Sequence, residues 1–249
     1  MSGTIPCASV VFARCISDCV GTKFARLLRT LDDLRFWPRR IKARHRMEQT
    51  VLERVAEHSF VVLPQVFNPN VFRSGRCLAQ FIAESPLLNS THTSPSALDV
   101  GTGTGIQAVF LADRGYAVTA VDVSARAVRC ATINVLLNGM NDQIEVLESD
   151  LFAKIAGRMF DLVVFNPPFF KGVPNGPLEL AWRSNDVVER FAAGLPGALK
   201  SDGRALIVWS SHAEERDLVG PLLRANLRTQ AAHRSRMGAE TVTIYEVQH

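Results

Sequence analysis

No stretch of this 249-residue chain stays apolar for the length of a membrane span, which argues against an integral membrane protein built from helices. The beginning of the chain also lacks the basic region of a secretory leader, since its first charge is Arg14. The expectation is a soluble, cytoplasmic protein that contacts no membrane. Five cysteines are present, Cys7, Cys15, Cys19, Cys77 and Cys130, but they form no CxxC pair and no Cys/His spacing suited to zinc. No metal site is expected from them, and free thiols in a reducing compartment are. No internal repeat is found.

Apolar residues are plentiful: 47% of the chain is hydrophobic and 21% charged, enough for one large core with a small extension. The net charge of +4 is unevenly spread. Residues 21–46 carry nine Lys and Arg against two Asp, which leaves 19 basic and 22 acidic residues elsewhere. A basic segment on a mildly acidic body points to an acidic partner: nucleic acid, an acidic protein face or a charged metabolite. A solvated helix surface explains the same pattern.

Residues 1–20 show no clear period. From Thr22 the apolar Phe24, Leu27, Leu28, Leu31 and Leu34 fall at helical spacing, and Pro38 should stop that helix. The spacing predicts a second helix from Ile41 to about Glu57, with Val51, Leu52 and Val55 buried. These two helices define an N-terminal extension or lid over residues 1–60, ahead of a main domain over 61–249. Short extended pieces follow around Pro64, then a helix over Cys77–Glu84 and a polar connector.

From Ala97 strands and helices alternate. Strands are predicted over Ala97–Val100, Val118–Asp122, Gln143–Leu147, Phe160–Phe165 and Arg204–Ser210. Helices are predicted over Ile106–Arg114, Ser124–Leu137, Asp186–Leu199 and Ala213–Ala225. Two closing strands, Thr229–His233 and Thr241–Val247, have no helix between them. This order implies an α/β, doubly wound, mostly parallel sheet with an antiparallel edge.

Two stretches carry chemistry. Asp99-Val100-Gly101-Thr102-Gly103-Thr104-Gly105 joins a strand to a helix, where open parallel sheets bind ligands. Its glycines let the backbone turn tightly and approach a ligand, and the following helix aims unpaired N–H groups at it. The spacing lacks the last glycine of GxGxxG, which argues against a nicotinamide cofactor. Asp122, at the end of the next strand, is placed to accept from ribose hydroxyls. Asp150 can accept from an adenine amino group, with Val123 and Leu151 sandwiching the ring. The second stretch, Asn166-Pro167-Pro168-Phe169, stops the strand Phe160–Phe165. Asn166 and the Pro167 carbonyl can accept hydrogen bonds from a planar amino group, and Phe169 can stack on a flat substrate. A plain strand-ending turn is the alternative.

In this order and spacing, Asp99–Gly105, Asp122, Asp150 and Asn166–Phe169 resemble the class I S-adenosylmethionine-dependent methyltransferases, over about Phe67 to Val247. Within them the chain is similar to the branch with an Asn-Pro-Pro-Tyr/Phe motif that methylates amide or amino nitrogen, above all the HemK-like glutamine methyltransferases of release factors. Val66-Phe67-Asn68-Pro69 looks like that group's upstream proline motif. Phe169 stands where that group has Tyr, and Trp182-Arg183-Ser184-Asn185 replaces its glycine pair. The resemblance implies a seven-stranded, Rossmann-like sheet whose last strand is antiparallel. It also implies S-adenosylmethionine as cofactor, with Asp99, Gly101, Thr102, Gly103 and Gly105 at its methionine part, Asn166, Pro167 and Phe169 at the acceptor, and Asn166 contacting the cofactor as well. A protein glutamine is the first expected acceptor. The alternatives are an RNA or DNA base, a small metabolite, non-methyl chemistry such as cyclisation of the cofactor itself, and cofactor binding without turnover.

Overall fold

The computed structural model describes residues 47–89, 93–174, 176 and 181–249. The predicted helix from Thr22, the basic segment 21–46 and the first part of the second predicted helix lie outside the described residues.

The rest of that second helix is corrected by the structure. Val51–Val55 is a strand, β1, paired antiparallel with β2, His58–Val62. Val51, Leu52 and Val55 fit a helical stripe, but Leu52 is 69% exposed while Glu53 is buried. The period of two prevails because Glu53 has an inward task. Its carboxylate accepts from Asn68 Nδ2 at 3.0 Å and Asn70 Nδ2 at 2.7 Å, fixing the loop that leads into helix α1, Arg73–Glu84.

The main sheet has seven strands: β3 (Ser96–Val100), β4 (Ala117–Asp122), β5 (Ile144–Glu148), β6 (Phe160–Phe165), β7 (Leu199–Ser210), β8 (Arg228–Met237) and β9 (Glu240–Gln248). They lie in the order β5-β4-β3-β6-β7-β9-β8. β3 to β7 run parallel, whereas β9 is antiparallel to both β7 and β8. This is the expected doubly wound sheet. β7 begins five residues before its predicted start, and it carries a register shift against β6 between Phe160 and Leu162.

The central parallel strands are largely apolar on both faces, as burial between two helical layers demands, whereas the edge strand β5 exposes Glu145 and Glu148. Leu162, Val164, Leu206 and Val208 pack with α1 and with α2, Ile106–Asp113. Val163, Phe165, Ile207 and Trp209 pack on the opposite side with α4, Val187–Ala198, and α5, Arg216–Arg224. Helix α3, Ala125–Leu137, crosses from β4 to β5 and adds Val135 to the first cluster. At the N-terminal end of β6, Asp161 accepts from Ser96 and Lys200, tying three neighbouring strands together. The opposite, C-terminal edge is left to the loops.

Candidate active site

Strand register brings the predicted residues to one edge. Val100 lies beside Val121 and Phe165, and Asp122 beside Glu148, so the loops after β3, β4, β5 and β6 emerge side by side. Gly101, Gly103 and Gly105 have φ of +65°, +57° and +80°. At Gly105 a Cβ would come within 3.2 Å of Ala131 Cα, so the missing side chain lets α3 pack against the loop.

The loop is fastened from beneath. Thr102 Oγ1 donates to Asp99 at 2.6 Å, Thr102 N to Val121 O at 3.0 Å and Gly103 N to Asp122 Oδ2 at 2.9 Å. Asp99 is only 2% exposed. Burial pushes its carboxyl up to about 7; the Thr102 hydroxyl acts the other way, and the neighbouring Asp122 charge adds to the rise. Its visible work is to hold Thr102. Burial also raises the Asp122 carboxyl, against the hydrogen bonds from Ser124 and Gly103. Ser124 N donates to Asp122 Oδ1 at 2.9 Å, so both oxygens accept backbone bonds and the carboxylate, with about four acceptor positions, keeps capacity for a further donor.

Next to Asp122, Val123 is 54% exposed, an apolar surface at a strand end. Leu151 follows β5 with φ of +48°, its carbonyl accepting from Ser149 Oγ at 3.0 Å. Asp150, expected to receive an amino group, spends Oδ2 on Arg190 Nη1 at 2.7 Å, and Arg190 also meets Asp186 at 3.1 Å.

Asn166 is the most informative side chain. Its Oδ1 is buried and, among the described residues, no donor reaches it. Such an acceptor costs about 1–3 kcal/mol unless a partner arrives. The amide lies beside Gly75 of α1, where an added Cβ would stand 3.7 Å from Asn166 Nδ2 and 3.5 Å from Gln107 Nε2. Gln107 in turn donates to the Gly75 carbonyl at 2.9 Å. Pro167 is buried, and Phe169 meets Trp209 edge-on at 5.6 Å. A small pocket opens there, lined by Pro168, Phe169, Phe170, Trp209 and the first turn of α4. His212, which follows β7, is 42% exposed and 3.8 Å from Glu240.

Sequence reasoning missed the parts that hold the site together. Asn134 of α3 is fully buried; its Nδ2 donates to Thr104 O and Val61 O, both at 2.8 Å, and its Oδ1 accepts from Val61 N at 2.7 Å. It joins the glycine loop to the hairpin. Its place on the helix face of Ala127 and Ala131 was the available signal. The segment after Phe169 also folds back: Phe170 N donates to Trp182 O at 2.9 Å and Ser184 N to Phe170 O at 3.0 Å.

The cradle fits S-adenosylmethionine, with small residues under the loop, lone pairs on Asp122 for hydroxyls, apolar Val123 for a ring and the unpaired Asn166 oxygen beyond. Comparison with known proteins bears on the family and its cofactor. The chain is 35% identical over 160 residues to a ribosomal RNA small subunit methyltransferase C of Alcanivorax borkumensis, covering 64% of this chain and 44% of that protein. It is 30% identical over 165 residues to a ribosomal protein uL3 glutamine methyltransferase of Bordetella pertussis, covering 53% and 55%. It thus spans about half the length of these relatives. The structure of a Thermus thermophilus 16S rRNA N2 G1207 methyltransferase, solved with AdoMet and guanosine, shares the fold. Its TM-score is 0.62 at 20% identity, over 81% of this chain and 50% of that one. The methyltransferase small domain model matches residues 57–236. The chain therefore belongs to the methyltransferase small domain family, whose members take their methyl group from S-adenosylmethionine.

Proposed function

We propose that this chain transfers a methyl group to a planar NH2 nitrogen, either a side-chain amide such as glutamine or an exocyclic ring amine. The observation that carries this reading is the buried, unpaired Oδ1 of Asn166 at the end of β6. An N–H donated to that oxygen, and a second to the neighbouring Pro167 carbonyl, would use both hydrogens of an NH2 group. The nitrogen lone pair is then left facing away from both acceptors. S-adenosylmethionine supplies the sulfonium-bound methyl group, already strongly electrophilic.

The remaining work is placement. Holding the acceptor in line can contribute about 7–11 kcal/mol in favourable cases, with no acid or base in the transition state. As the new N–C bond forms, the S–C bond breaks, S-adenosylhomocysteine departs, and the extra proton on nitrogen passes to water. Asp122 and the glycine loop hold the cofactor, while Asn166 and Pro167 orient the acceptor. Phe169, braced edge-on by Trp209, closes one side against a flat group.

Mass spectrometry tests this directly. With S-adenosylmethionine and a cell extract, the reading requires S-adenosylhomocysteine and a product in which one N-bound hydrogen has become methyl. Consumption of the cofactor alone, or methylation of oxygen or carbon, would contradict it.

A further inference from the structure

An aromatic row runs outward from the site. The rings of Phe67 and Phe72 stack with centroids 4.4 Å apart and planes 18° apart, and Phe72 meets Trp182 at 5.6 Å and 36°. All three side chains remain partly exposed. The inner end lies against the cofactor loop and Asn166. A Cβ at Gly103 would stand 3.9 Å from Phe67 Cβ, while one at Gly75 would stand 3.6 Å from Phe67 Cε1 and 3.7 Å from Asn166 Nδ2. The outer end is tied to the acceptor loop, since Trp182 O receives the Phe170 N–H. Arg73 and Arg76, exposed on the first turns of α1, follow Phe72 directly, and no acidic residue stands in the first turn.

We infer that this row is a stacking wall for a nucleobase, so that the acceptor is the exocyclic amine of an unpaired base in a polynucleotide strand. The inference rests on the N-methyl transfer proposed above and names its substrate class. A glutamine side chain is thin and flexible and draws little from flat rings. A base has two π faces, and aromatic platforms bind bases largely independently of sequence. Exposed cations on the first turns of the helix that follows Phe72 suit the phosphates that any such strand carries. The base amine's lone pair takes the methyl carbon as its bond to sulfur breaks, and the amine's extra proton leaves to water.

The test uses the full chain with radiolabelled S-adenosylmethionine and three separate probes: total cellular RNA, random-sequence single-stranded DNA and total cell protein. Hydrolysates are resolved into nucleosides and amino acids. Label in an N-methylated nucleoside is expected, and the RNA and DNA arms tell the two strands apart. Label in glutamine alone would overturn the nucleobase inference and leave the N-methyl transfer standing. Label in no polymer would overturn it as well, with the extract experiment above then deciding the wider reading. On the labelled nucleic acid, Trp182→Ala should raise KM about tenfold or more, Trp182→Phe should restore it, and cofactor affinity should not change. KM should also climb steeply with salt. A Trp182→Ala variant that loses only melting temperature, with KM unmoved, would reduce the row to packing. Phe72→Ala provides the same reading independently if the first variant fails to fold.

Discussion

Asp122 accepts the Gly103 N–H at 2.9 Å, so the carboxylate proposed to hold a ribose also fastens the glycine loop. Removing it should therefore do double damage. Asp122→Ala is expected to weaken S-adenosylmethionine binding by roughly 1–3 kcal/mol for the hydroxyls left unpaired, and by more if the loop loosens. Asp122→Asn, which keeps one oxygen, should lose less. Isothermal calorimetry checks both, and unchanged affinity in the Ala variant would contradict the assignment.

Asp99 sets a pH dependence whose sign can be worked out. Its folded carboxyl is pushed up to about 7, first of all by burial, well above the range of an unfolded chain. The folded state then keeps a proton that the unfolded chain releases, so this group's contribution to stability falls as pH rises from about 4 to about 7 and is level above that. Asp99→Asn keeps an acceptor for Thr102 Oγ1 without the buried charge. Its unfolding free energy should gain on the parent's as pH rises from 5 to about 7, by at most about 1.4 kcal/mol per pH unit. A constant difference across that interval would contradict the buried-carboxyl reading.

Asn134 and Asn138 make a paired test of how the loop is held. Both tie α3 to the hairpin, Asn138 by donating to Ser59 O at 3.0 Å, but only Asn134 also reaches Thr104 in the glycine loop. Either Ala variant should lower stability by about 1–3 kcal/mol. Only Asn134→Ala should also weaken cofactor binding. Thermal melts alongside calorimetry separate the two, and equal cofactor affinity in both variants would remove Asn134 from the site.

The strand–loop–helix pattern from Ala97 onward was legible because the central parallel strands contain short apolar runs bounded by turn residues, and β6 matches its predicted ends. Val51–Val55 misled because its apolar spacing also suits a helix. What decides it is the buried Glu53, whose partners Asn68 and Asn70 lie 15 and 17 residues away. Asp150 was legible as a loop acid but not as the partner of Arg190, 40 residues on. The row Phe67–Phe72–Trp182 was hidden for the same reason: contacts between distant segments leave no local period. Gly101–Gly105 and Asn166–Phe169 showed because their backbone demands are local.

The most direct test is the turnover of Asn166→Ala measured beside its affinity for S-adenosylmethionine. If the unpaired Oδ1 orients the acceptor nitrogen, the variant should bind the cofactor nearly as well as the parent and turn over on the order of 100-fold more slowly or worse. Asn166→Asp should fall between them, since a carboxylate still accepts. Full activity in Asn166→Ala on the identified substrate would contradict the proposed mechanism and leave Asn166-Pro167-Pro168-Phe169 as no more than the turn that ends a strand.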